Sequence, residues 1–99
     1  MIEKLTKHGM VAVAVSSGYG AGWSTWNEVD PTDARFNRLF EEGKWKEAAA
    51  LCESLELGYT GGAKQVSIKW VPEGTKFVID EYDGSETLMT IDDYNWRTS

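Results

Sequence analysis

Met10-Val11-Ala12-Val13-Ala14-Val15-Ser16 runs without a break into Ser17-Gly18-Tyr19-Gly20-Ala21-Gly22-Trp23-Ser24-Thr25-Trp26-Asn27. In the first half valine alternates with alanine, so neither side of an extended segment carries a polar residue. That pattern reads as a strand buried on both faces, inside a sheet. The second half leaves the strand's C-terminal end as a loop. Its alternate glycines let the backbone turn through positive φ or come close to another group, while Tyr19, Trp23 and Trp26 place three large rings in the same connection. Burying rings from a loop means finding partners for the backbone polar groups around them, and loops on a rigid scaffold are where binding residues concentrate. The loop is therefore the candidate site.

Residues 1–9 are a polar lead-in arm. Beyond the loop, Asp30-Pro31-Thr32-Asp33 predicts a helix start, with Asp30 as cap, Pro31 in the first turn and Asp33 at the positive end of the dipole. Phe36, Leu39 and Phe40 share one helical face, and Gly43 ends the helix. Trp45, Ala48, Ala49, Cys52 and Leu55 repeat at helical spacing in a second helix that Gly58 stops, so the two form a helical hairpin. After Tyr59-Thr60-Gly61-Gly62 the period changes to two: Val66, Ile68 and Trp70 alternate with Gln65, Ser67 and Lys69, a strand with one buried face. Pro72-Glu73-Gly74 is a turn. Phe77, Val78 and Ile79 lie in the next strand, and Asp83-Gly84 is a two-residue hairpin signal that makes Glu86 to Ile91 its partner. The tail, residues 92–99, is expected to lie back on the domain through Trp96. The order β-α-α-β-β-β predicts a single α+β domain over residues 1–99, an antiparallel sheet with the helical hairpin packed on one face.

With 99 residues and 41% hydrophobic content the chain has enough for one core. Twelve of its residues are aromatic; either they fill a small core with a few bulky pieces, or some stay at the surface for ligand or subunit contacts. Sixteen acids against ten bases leave a formal charge of −6, which opposes binding to duplex nucleic acid. One cysteine excludes an internal disulfide framework and fits a reducing compartment. No apolar run is long enough for a membrane span and the N-terminus lacks the layout of a secretory signal, so a cytoplasmic protein is expected.

Known phosphate motifs fail on the loop. The dinucleotide fingerprint needs its glycines to open a helix, and here the helix begins only near Asp30. The triphosphate loop needs Gly-Lys-Ser/Thr, where this chain has Gly22-Trp23-Ser24. What survives is a run of amides able to form an anion nest, with rings suited to stack on a flat heterocycle. Ligand binding, a subunit interface and loop geometry alone all stay open. The ligand-binding candidates are Gly18, Tyr19, Gly20, Gly22, Trp23, Ser24, Trp26, Asn27, Tyr82 and Asp83. Arg35, Arg38 and Arg97, with Lys69, are possible anion contacts, against a plain reading of Arg35 and Arg38 as an exposed helix face. Catalysis is not supported: His8 is the sole histidine, and Cys52 falls on an inner helical stripe. No metal ligand set or cofactor is expected. The stretch Asp80 to Asp93 holds six acids and no base; Glu81, Asp83 and Glu86 within it could hold a divalent ion, mimic a nucleic-acid backbone, or simply be a solvated edge that discourages strand pairing.

At Gly18 to Asn27 (GYGAGWSTWN) and Glu81 to Glu86 (EYDGSE), and in Trp70-Val71-Pro72-Glu73-Gly74-Thr75, the chain resembles a group of small accessory proteins encoded by bacteriophages and prophages. The resemblance covers most of Val11 to Ile91. It implies a phage protein acting in the bacterial host cytoplasm and carries no activity. By analogy with the counter-defence role of such proteins, two functions are expected. One is a non-enzymatic binding protein that sequesters a small nucleotide-like molecule, its pocket joining the Gly18 to Asn27 loop to the Tyr82-Asp83 turn, within one copy or across the boundary of the homo-oligomer that the aromatic excess and small size lead one to expect. The alternative is an acidic inhibitor that presents Asp80 to Asp93 to a basic host protein.

Overall fold

In the computed structural model, which describes residues 2–90, the polar lead-in carries a short strand, β1 (Thr6–Lys7). It returns through His8 and Gly9 into β2 (Met10–Ser16), the Val/Ala strand. β2 pairs antiparallel with β1 on one side and, over its whole length, with β3 (Val66–Pro72) on the other. Two helices, α1 (Ala34–Glu41) and α2 (Trp45–Ser54), come between these strands in the chain, and a 3-10 turn at Ala63–Gln65 leads into β3. The last two strands, β4 (Phe77–Tyr82) and β5 (Ser85–Thr90), pair with each other. The α+β domain with a helical hairpin is as expected, and its strands divide between two antiparallel sheets, β1-β2-β3 and β4-β5. Ile91, the tail and Arg97 lie outside the described residues.

β2 explains the layering. Val11, Val13 and Val15, with Val71 of β3, pack against Phe77, Ile79 and Leu88 of the β4-β5 hairpin. On the opposite face Ala14 joins Phe36, Ala48 and Cys52 of the helices, with Val66 and Ile68 packed alongside. Helices, three-stranded sheet and β4-β5 hairpin thus form three layers with β2 in the middle. Valine fills the gap between sheets, burial of each such side chain stabilising by about 1.5–3 kcal/mol, while alanine lets the helical layer come close. The turn after β3 carries the chain over the sheet rather than alongside it: Thr75 N–H donates to the Pro72 carbonyl at 3.0 Å, and Glu73 N–H to Gly9 at 2.9 Å.

Past the two residues of β1, the edge of β2 is closed without a strand. Ala12 N–H donates to Leu5, Ala14 N–H to Pro31, Asn37 Nδ2 reaches the Ala12 carbonyl at 3.1 Å, and Ser16 N–H donates to a Glu86 oxygen at 2.9 Å. Every one of these satisfies a backbone group that the interior would otherwise leave bare.

α1 starts three residues later than Asp30-Pro31 suggests. Its cap is Asp33, whose carboxylate accepts from Arg35 N–H at 2.9 Å. Asp30 instead folds its own turn, accepting from the Thr32 amide at 2.8 Å and hydroxyl at 2.6 Å. Two Asp residues three apart compete for the capping role, and the Pro31 carbonyl is already engaged with β2. At the far end of α2 the left-handed position is Glu56 (φ 56°), not Gly58. Glu56 N–H donates to Glu53 and Leu57 N–H to Cys52, the paired bonds of a Schellman stop.

Candidate functional site

The glycine and aromatic loop is clamped by the β4-β5 hairpin. Glu81 and Glu86 face each other directly across β4 and β5, so both carboxylates point to the same side, toward the loop. Glu86 is buried. Its Oε1 accepts from Ser16 N–H at 2.9 Å, and its Oε2 from Trp23 N–H at 2.7 Å, Thr25 N–H at 3.0 Å and the Thr25 hydroxyl at 2.6 Å. Such charge-assisted bonds are roughly twice as strong as neutral ones. Glu81 Oε2 accepts from Gly84 N–H at 2.8 Å and from the Trp26 indole N–H at 3.2 Å. These bonds, the Gly84 amide first and the indole second, hold the Glu81 carboxyl below the usual carboxylate range.

Glu86 is therefore held by amides at the two ends of the loop, those of Ser16, Trp23 and Thr25, and not by the Gly18 to Gly22 run that the sequence offers as an anion nest. This also divides the presumed acidic edge: Glu86 is a buried acceptor, while Asp80 and Asp83 remain exposed. Turn and loop are in backbone contact besides. Gly20 N–H donates to the Asp83 carbonyl at 2.7 Å, and the Ser85 hydroxyl to Ser17 at 3.2 Å. Gly84, at φ 88°, lies so close to Ala21 that a Cβ there would fall 2.8 Å from the Ala21 carbonyl carbon.

The three rings of the loop have separate fates. Trp23 is fully buried, edge-on to Phe36 at 5.6 Å and Phe40 at 5.1 Å between ring centres. It belongs to the core beneath the helices, and as a stacking surface for a ligand it is withdrawn. Trp26 is 41% exposed and Tyr19 70%. Gly18 abuts Gln65, Gly22 is buried beside Glu86 and Trp26, and Ser24 is half-buried. The sequence offered a signal for the clamp that composition hid: Glu81 is in phase with Phe77 and Ile79, and Glu86 with Leu88, so both acids fall on the inward side of their strands.

Two hollows involve residues of the loop, and Trp26 lines the second of them. The first, of about 170 Å³, is lined by the exposed Tyr19 and Tyr82, with Asp80, Glu81, Ser85 and Thr87 as its other walls. The second, wide and open at about 490 Å³, is lined by Trp26, Asn27, Glu28, Glu56 and neighbouring backbone. Asn27 also bridges to Gly58 through its backbone, and its buried side-chain amide has no hydrogen-bond partner among the described residues. Among the described residues no lysine or arginine lines either hollow. The expected anion contacts lie elsewhere: Arg35 forks onto Asp33 at 2.8 Å, which raises its pKa further, and Arg38 pairs with Glu3 at 2.8 Å. Arg38 lines a separate hollow with Lys7 and Trp70.

Among the described residues no group of three or more His, Cys, Asp or Glu is placed to hold a metal ion, and Cys52 is buried in the core, where desolvation pushes its thiol pKa up. Among the same residues no helix is long and apolar enough to cross a membrane. No family model, curated protein or solved structure matches the chain.

Proposed function

We propose that this is a non-enzymatic binding protein that docks a basic protein surface against the face shared by the loop and the β4-β5 turn. One observation carries the reading: Tyr19 and Tyr82, 63 positions apart in the chain, both stand exposed at one hollow whose charged walls among the described residues, Asp80 and Glu81, are acidic. Rigid rings with a polar tip supply contact area at low entropic cost. Carboxylates beside them favour a cation both by charge and by the negative faces of the rings. The resemblance to phage-encoded accessory proteins adds a host factor in the bacterial cytoplasm as the kind of partner, and a counter-defence role by analogy.

A small nucleotide-like ligand is the second reading. It has the two tyrosine rings in its favour and the acidic lining, with Arg35 and Arg38 already paired, against it. Thermal unfolding separates the two. A short arginine-containing peptide should raise the melting temperature, and Tyr82→Ala or added salt should remove the rise. A rise given instead by mono-, di- or cyclic nucleotides, and lost in Tyr82→Ala, moves the function to the second reading. No rise with either class of probe defeats the proposal.

A further inference from the structure

The two hollows are not independent. Trp26 lines the second, its indole N–H donates to Glu81 Oε2 at 3.2 Å, and Glu81 lines the first. One partly exposed ring is therefore bonded to a wall of an aromatic, acidic recess holding Asp80 and Glu81 and is itself a wall of a wider one holding Glu28 and Glu56. Among the described residues that line this path are four carboxylates and no base. We infer that the binding face continues past the tyrosine hollow as a groove over Trp26, and that its occupant is an extended segment bearing two separated basic side chains. One would enter between Tyr19 and Tyr82, and the other would sit against Glu28 and Glu56.

Several observations favour this occupant over a folded surface or a single cation. The carboxylates fall in two groups, one in each recess, which suits charges spaced along a chain rather than one point charge. The Trp26 ring is tethered by its own N–H, so its face is held in place before binding, and tryptophan is enriched among residues that dominate binding energy. The wide recess is walled partly by backbone at Leu57 and Gly58, where an extended segment finds main-chain groups to approach. The side chains that make the groove come from the loop, from the end of α2 and from the hairpin, and Trp26 and Glu81 among them are bonded to each other.

This inference rests on the tyrosine hollow being a binding site, and the experiment is arranged so that the two can fail separately. Trp26 fluorescence is titrated with a peptide carrying one arginine in a glycine and serine background, and with peptides carrying two arginines separated by about two to eight residues, a span of up to ~30 Å. Joining two weak sites raises affinity by effective concentration once the linker spans them. The best two-arginine peptide should bind about ten-fold or more tightly than the single one, with an optimum in spacing. Glu28→Gln combined with Glu56→Gln should cancel that gain while leaving the single-arginine peptide unaffected, and Tyr82→Ala should weaken both. If the second arginine adds nothing at any spacing, or the paired glutamine variant keeps the gain, the groove is overturned and the tyrosine hollow stands alone. If no peptide binds in a Tyr82-dependent way, the hollow falls with it.

Discussion

Glu86 accepts four hydrogen bonds from three residues of the opposite segment, so its removal strands donors as well as a charge. Glu86→Gln keeps the size and turns one acceptor into a donor among donors. It should lower stability by about 2–4 kcal/mol, read as a fall in the urea midpoint; a loss below ~0.5 kcal/mol, the size of an ordinary surface change, would refute the clamp. Glu81 makes the complementary prediction in pH. Its folded-state pKa is depressed, so its contribution is present above the ordinary carboxylate value and is lost as the pH falls through the lower folded value. Trp26→Phe removes the smaller of the two causes, and the Glu81 titration, followed by NMR, should move up part of the way; an unmoved midpoint would show that the indole bond does not hold it. Trp23 is the ring whose burial the sequence leaves open, because the small residues that make room for it, Ala14, Ala48 and Ala63, are scattered through three distant segments.

Among the elements, β2 was legible because alternating apolar residues with no polar phase admit one arrangement, a strand covered on both sides. The helical hairpin was legible from its stripe. Its boundaries were less so, since Asp30 reads as the cap and Asp33 as a charge at the dipole's positive end until the Pro31 carbonyl is seen to bond β2. The end of α2 makes a clean test. Glu56 occupies a left-handed conformation that costs a residue with a Cβ about 1 kcal/mol or more, so Glu56→Gly should raise stability by about 0.5–1 kcal/mol in denaturant unfolding. A loss on that substitution would mean the Glu56 side chain does more than tolerate its backbone. Asn37 is the opposite case: a polar residue on the inner side of α1, invisible as a necessity until its amide is seen to reach Ala12 and Pro31 at 3.1 and 2.9 Å. Asn37→Ala should cost about 1–3 kcal/mol through the two carbonyls it leaves bare.

Over the molecule as a whole, the division into two sheets could not be read from strand order, because a hairpin that continues a sheet and one that folds over it have the same alternation. The inward acids on β4 and β5 are the mark that distinguishes them. Cys52 reports on the integrity of the core: with its thiol buried and its pKa raised, alkylation should be slow in the native protein and fast in urea, and prompt stoichiometric labelling without denaturant would contradict the packing of α2. Self-association, proposed from the surface aromatics, is settled by light scattering at micromolar concentration, where a monomer mass defeats it. The clamp also has a bearing on how the chain comes into being. The amide of Ser16 meets its acceptor 70 positions later, and two inward-pointing anions side by side repel one another until those amides arrive. During synthesis, then, the first half of the protein waits for nearly the last strand to be translated, and a ribosome that stops short of Glu86 releases a chain with its central loop unmoored and nothing further along to fasten it.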